Sequence, residues 1–462
     1  MREPIILGFG LLFIAVLLIL GEYKLGFALI TIQLVVLLYP LAAKNRLIVS
    51  ILMLAMMPLE ISKLWVPFLQ IVEGREGLVS VLDFSRISIL IAGVYWLAFD
   101  YKRSKIEIRL DGAIVSLTLF LLWAALSLGI GGNGGTRGFI ELTRYVSYLL
   151  MLWMFINFTR SLGDIEKLFM MFVYVGIFLS MIGIFEFITN IHLWNQMMGV
   201  RTNTTFADPN IFARFLAIAL TIAFYFRSKG ISGHPVLLDS AMVLMGVTLL
   251  FTISRGGLVA LAASMFIIFL YTDRKTRRTL TVLGVFFSII VVISIADMVG
   301  SRGGDISVAD IGGRTALILT GVTMFLSHPI AGVGLGGFQE VALTSYIHLL
   351  PWDGTNDSLS HTTIITVLAE LGIVGALLLV NILWQVIKVY KYILKKGSER
   401  IRDLAILTLA MLVVLFVSSQ SAGRLFEDPY TWFSVAMLSV LLRLVKAEEV
   451  LKEKDSFEEV SK

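Results

Sequence analysis

Cysteine is absent from the 462 residues, so disulfides, thiol nucleophiles and cysteine-ligated metals are excluded. Charge is scarce as well: Asp, Glu, Lys and Arg make up 15% of the chain, against 57% hydrophobic residues. With a mean hydropathy of +0.88, that balance excludes a soluble globular protein. Alternation of period two is also missing from the apolar runs, which excludes a β-barrel. No stretch is left over for a soluble domain of any size.

What is present is one apolar window after another, each of membrane-crossing length and bounded by short charged clusters. The pattern predicts an all-α, polytopic transmembrane bundle. Helices are expected at 5–20, 25–42, 47–60, 84–99, 112–130, 139–157, 166–189, 210–226, 237–252, 256–271, 279–297, 362–387, 403–419 and 431–446. That gives 14 spans, or 12 if short segments such as the third are re-entrant. No small-x-small cleavage site precedes Gly21-Glu22, so the first segment is expected as a retained helix rather than a signal sequence. Residues 1–138 are then N-terminal helices, 139–446 a transmembrane core containing an extracytoplasmic loop at 298–360, and 447–462 a cytoplasmic tail.

With both termini placed in the cytoplasm, 26 of the 38 basic residues fall on the inner side. The 12 outer ones include only two lysines, Lys24 and Lys63; the rest are Arg75, Arg86, Arg137, Arg144, Arg201, Arg214, Arg255, Arg302, Arg314 and Arg424. Either residue serves as a topology signal facing anionic lipid. A guanidinium in a partly dry site adds forked contact with phosphate or carboxylate. Salt-bridge duty explains single arginines, whereas the group points to an outer cavity for phosphate.

The polar residues of least obvious structural purpose sit at these outer ends. Asp208-Pro209-Asn210 opens one helix, with Asp208 as N-cap and Pro209 at the first helical position. Arg201 precedes it and Arg214 lies about one turn inside. Ser254-Arg255-Gly256-Gly257 forms a tight turn. The long segment from Gly300 to His361, expected to be irregular and therefore functional, carries Gly313-Arg314, a glycine run from His328 to Phe338, Asp353, Asp357 and His361. Gly332, Gly334 and Gly337 match the dinucleotide fingerprint in spacing only, since no βαβ context surrounds them. They are expected to allow a tight re-entrant or surface turn. A metal site from Asp353, Asp357 and His361 has no supporting ligand spacing.

Together these pieces resemble the O-antigen ligase and O-antigen polymerase superfamily of bacterial membrane glycosyltransferases, over roughly residues 140–440. The resemblance rests on Phe206-Ala207-Asp208-Pro209-Asn210, Ser254-Arg255-Gly256, Gly313-Arg314 with His328 to Gly334, and His361 followed by Leu368 to Gly375. Thr362 departs from the asparagine that many members carry after the histidine. The resemblance implies a metal-independent, inverting GT-C-type transferase without cofactor, in the bacterial cytoplasmic membrane with its site facing the periplasm. Its donor would be a glycan on undecaprenyl pyrophosphate and its acceptor a hydroxyl of lipid A core, which describes an O-antigen ligase. The alternatives are a polysaccharide polymerase or a protein O-oligosaccharyltransferase, and, outside this class, a transporter. Membrane lipids are expected partners and nucleic acid is not. His361 is then the candidate general base, Arg255, Arg314, Arg201 and Arg214 the pyrophosphate ligands, and Asp208, Asn210 and Arg424 secondary contacts.

Overall fold

A computed structural model describes residues 46–60, 84–96, 111–192, 201–231, 233–282, 308–350, 362–421 and 425–460, with short pieces at 70–72, 79–80 and 284. The described residues form thirteen α-helices: α1 (Arg46–Met56), α2 (Phe84–Tyr95), α3 (Gly112–Gly131), α4 (Gly135–Phe158), α5 (Leu162–Thr189), α6 (Pro209–Lys229), α7 (Pro235–Phe251), α8 (Arg255–Leu270), α9 (Val308–Ser327), α10 (Phe338–Thr344), α11 (Thr363–Lys396), α12 (Glu399–Ser418) and α13 (Pro429–Val460). A further helical stretch covers 274–282. One small antiparallel ladder pairs Gln70–Val72 with Val79–Ser80, between α1 and α2. The expected spans at 5–20 and 25–42, and most of 279–297, lie outside the described residues.

Six of these helices, α3, α4, α5, α6, α11 and α12, are long and apolar enough to cross a membrane. They are apolar on their outer faces as well as within. α5 buries Phe169 and Phe172 while Phe178 and Phe185 are exposed; a helix hydrophobic all round suits lipid rather than water. The chain is a multi-pass helical membrane protein. α6 is its central post, buried along most of its length. Phe215 of α6, Phe172 of α5 and Tyr430 of α13 pack ring against ring around it. The sequence boundary placed at 138 falls inside α4, and α3 packs along α11, so the two regions interlock. α13 runs on as helix to Val460, through most of the segment read as a tail.

The segment expected to be irregular from 300 to 361 needs correction. It contains α9, α10 and a single 3₁₀ turn at Ile347–Leu349. The signal for α9 was available: Leu317, Thr320, Gly321 and Met324 are all buried, at the i, i+3, i+4, i+7 spacing of one helical face. Asp310, Gly312, Gly313 and Arg314 interrupt its first half, so only Thr315–Ser327 reads as an apolar helix, too short for a membrane span.

The glycine run after α9 is not a surface turn. Residues 332–338 are buried, threaded against a break in α11 at Gly372 (φ 64°, ψ −160°). Val333 and Gly334 donate their N–H groups to the carbonyls of Ala369 and Glu370, at 2.9 and 3.0 Å. Ile373 donates to the Pro329 carbonyl at 2.8 Å, and Trp123 Nε1 to the Leu371 carbonyl at 2.9 Å. A Cβ at Gly372 would strike the Ile330 carbonyl, in a backbone conformation that L side chains rarely adopt. Gly372→Ala should therefore destabilise the protein by at least about 2 kcal/mol, read as a lowered Tm in detergent. Gly246→Ala, at a helical site with open space around it, should leave Tm unchanged or raised.

Candidate active site

One end of the bundle gathers the N-termini of α6, α8, α11 and α13 with the C-termini of α1, α5, α7 and α12, as the alternating helix directions require. Asp208 caps α6, its Oδ1 accepting from the Asn210 N–H at 2.6 Å, with Pro209 at the first position. Ser254 caps α8, its Oγ accepting from the Gly257 N–H at 3.2 Å. The two caps are joined: Ser254 Oγ lies 2.8 Å from Asn210 Oδ1, which also accepts from Arg201 Nη2 at 3.1 Å. Arg201 Nε donates to the Thr252 carbonyl at 3.0 Å. Arg255, on the first turn of α8, is exposed. Burial lowers the pKa of the Arg201 guanidinium, Asp208 raises it, and the nearby charge of Arg255 lowers it again. Two positive charges thus converge over two helix N-termini, an arrangement that favours an anion through dipoles and N–H groups alike.

The loop that carries Arg201 is anchored from below. Glu186, fully buried near the end of α5, accepts the N–H groups of Asn203 and Thr204 at 3.3 and 2.9 Å. Thr205 Oγ1 donates to the Pro58 carbonyl at 2.7 Å, and Glu60 accepts from the Ala207 N–H at 3.1 Å. Glu370, also buried, accepts from the Phe338 N–H at 3.2 Å. Both glutamates serve hydrogen bonding within the bundle.

Arg214 has a partner that the sequence reading did not name. Its Nη1 meets Asp428 Oδ2 at 2.8 Å, with both side chains buried. Burial lifts the Asp428 carboxyl above the usual carboxylate range, and the Arg214 charge opposes that shift. Arg214 is thus held by a carboxylate that competes with any phosphate for its guanidinium. Arg214 and Asp428 line a cavity of about 160 Å³ together with Glu60, Arg86, Arg144 and Glu427. Arg144 Nη1 stands 3.2 Å from Glu427 Oε2. The missed signal was physical: an arginine one turn inside an apolar helix requires an acid nearby, and Asp428 before Pro429 repeats the Asp-Pro cap of α6.

Among the remaining candidates, Arg314 lies on α9, and His361 and Arg424 lie outside the described residues, as do Asp353 and Asp357. Their described neighbours do converge. Thr363 donates from N and Oγ1 to the Ser419 carbonyl, both at 3.2 Å, and Leu425 N donates to Thr363 Oγ1 at 3.0 Å. Gly256, next to Arg255, abuts Ser421 so closely that a Cβ there would strike its Oγ. The chain on either side of the site is thereby tied to the turn that bears Arg255.

Residues 240–380 match the family described as O-Antigen ligase. The match spans α7 to α10 and the first half of α11, including Arg255, Arg314, the glycine run and the break at Gly372. No curated protein matches the chain.

Removing one partner of the Arg214–Asp428 pair strands a buried charge. Asp428→Asn should lower stability by about 3 kcal/mol. The apolar double replacement Arg214→Met with Asp428→Leu should recover most of that loss in thermal unfolding.

Proposed function

On the premise that this membrane protein belongs to the O-antigen ligase superfamily, we propose that it transfers a glycan from undecaprenyl pyrophosphate to an acceptor hydroxyl. The acceptor is a sugar of lipid A core, and the reaction takes place on the periplasmic side of the bacterial cytoplasmic membrane. The observation that carries this reading is the convergence of Arg201 and Arg255 over the N-termini of α6 and α8. As the glycosidic bond breaks, negative charge grows on the leaving pyrophosphate. Fixed guanidiniums and helix N-termini stabilise that charge without reorganising. Such a set supplies what a divalent cation supplies elsewhere, so transfer is expected to persist in excess chelator. His361 is the proposed base that takes the acceptor proton, by resemblance and by its place next to Thr362 at the start of α11.

A one-sided site also separates this reading from a transporter. At the other end of the bundle the charges form ordinary ion pairs: Lys229 with Asp403 at 2.7 Å, Arg227 with Asp239 at 2.8 Å, and Arg400 with Glu166 at 2.6 Å. A two-sided pathway would need polar groups leading through the middle, whereas α6 there presents Ala217, Ile218 and Ala219 to a closed core.

The test uses purified protein in vesicles with undecaprenyl-pyrophosphate glycan and lipid A core. Glycan should appear on the core; lengthening of the lipid-linked glycan instead would make the protein a polymerase, and transfer to a serine or threonine peptide would make it a protein glycosyltransferase. Arg255→Ala should cut turnover by the equivalent of about 2–5 kcal/mol, and Arg255→Lys should recover only part of it because the planar fork is lost. His361→Ala should lose about 10²–10⁴-fold in rate with donor binding retained. Transport of the donor across the vesicle membrane with no transfer to any acceptor would contradict the assignment.

A further inference from the structure

The cavity around Arg214 differs in kind from the Arg201–Arg255 site. Arg86, Arg144 and Arg214 are balanced by Glu60, Glu427 and Asp428, so among the described residues its walls carry guanidiniums and carboxylates in equal number. A pyrophosphate placed there would meet three carboxylates. A sugar hydroxyl, by contrast, both donates and accepts, and such walls answer both halves of it. Tyr148, Phe206 and Tyr430 add aromatic surface to the same walls, which suits the apolar face of a pyranose ring. At about 160 Å³ the cavity is well below the roughly 300 Å³ lower end of drug-sized pockets. It holds one ring, not a chain.

The way in passes Arg144 and Glu427, whose side chains keep 15% and 25% of their exposure while Arg214 and Asp428 behind them are closed off.

We propose that this cavity is a recognition subsite for a single neutral sugar ring of the glycan that the protein handles, a reading that rests on the glycan-transfer function above. None of the cavity residues falls within 240–380, the stretch matched by the family. The walls come from residues just past α1, from α2, α4, the 206–207 loop and α6, and from the turn into α13, so sugar choice is written in parts of the chain separate from the Arg255 turn.

The experiment measures binding of methyl glucoside, N-acetylglucosamine, glucuronate and inorganic pyrophosphate to the full-length protein in detergent, by saturation-transfer NMR. At least one neutral sugar should bind saturably in the millimolar range, with glucuronate weaker and pyrophosphate unable to displace it. The double variant Arg144→Gln with Glu427→Gln, at the partly exposed mouth of the cavity, should weaken that binding at least about tenfold. Its Tm should fall little, since the pair is partly exposed and both partners are removed together. No saturable sugar binding, equal binding by the double variant, or displacement by pyrophosphate each overturns the proposal. Glycan transfer persisting in vesicles alongside any of those results leaves the enzymatic reading intact. Sugar binding that behaves as expected in a protein that transfers nothing removes that reading and keeps the subsite.

Discussion

The fold depends on one requirement: irregular backbone inside an apolar bundle must have its N–H and C=O groups met by protein. Breaking α11 at Gly372 frees carbonyls at Ala369, Glu370 and Leu371 from their usual helical partners. The run from Pro329 to Gly334 supplies replacements, with Val333 and Gly334 donating to the first two and Trp123 of α3 to the third. In return Ile373 donates to Pro329, and the Leu335 N–H finds Ser127 Oγ at 3.1 Å. Each broken element completes the other. Because Gly131 and Gly138 let α3 and α4 press against the same run, the four parts hold together or not at all.

That joint gives the site end its rigidity and sets it apart from the opposite end. The opposite end is held by half-exposed pairs such as Arg227 with Asp239, of a kind that contributes little to stability. At the site end, Arg255 excepted, the charges named above are buried, part-buried or hold caps. Glu186 fixes the loop, Asp208 and Ser254 fix two helix starts, and Asn210 joins them to Arg201. Charge held this way needs no rearrangement when an anion forms, which is the property electrostatic catalysis requires.

Much of this was legible in the chain. The spans at 112–130, 139–157 and 210–226 emerge within a few residues as α3, α4 and α6, because continuous apolar runs leave little choice of boundary. The Asp208-Pro209 cap and the Ser254 turn were legible for the same reason, being local. α9 was harder to read, since Asp310, Gly312, Gly313 and Arg314 interrupt its first half and leave only Thr315–Ser327 apolar. The insertion of the glycine run into α11 was not legible: Gly372 reads as one more glycine in an apolar run until its partner strand of backbone, some forty residues earlier, is placed beside it. Arg214 was singled out as a pyrophosphate ligand, and its acid, 214 residues away, could not be read because it depends on how α13 docks.

The central claim is that the end bearing Arg201 and Arg255 faces outward and receives the lipid-linked pyrophosphate. A chain without cysteine permits a direct measurement. Ile253, exposed in the turn beside Arg255, is replaced in Ile253→Cys, and labelling by a membrane-impermeant thiol reagent is followed in right-side-out vesicles. The account predicts rapid labelling from outside, slowed by undecaprenyl-pyrophosphate glycan and not by the same glycan released from its lipid pyrophosphate. Labelling that occurs only in inverted vesicles, or that the lipid-linked donor leaves unchanged, would contradict it.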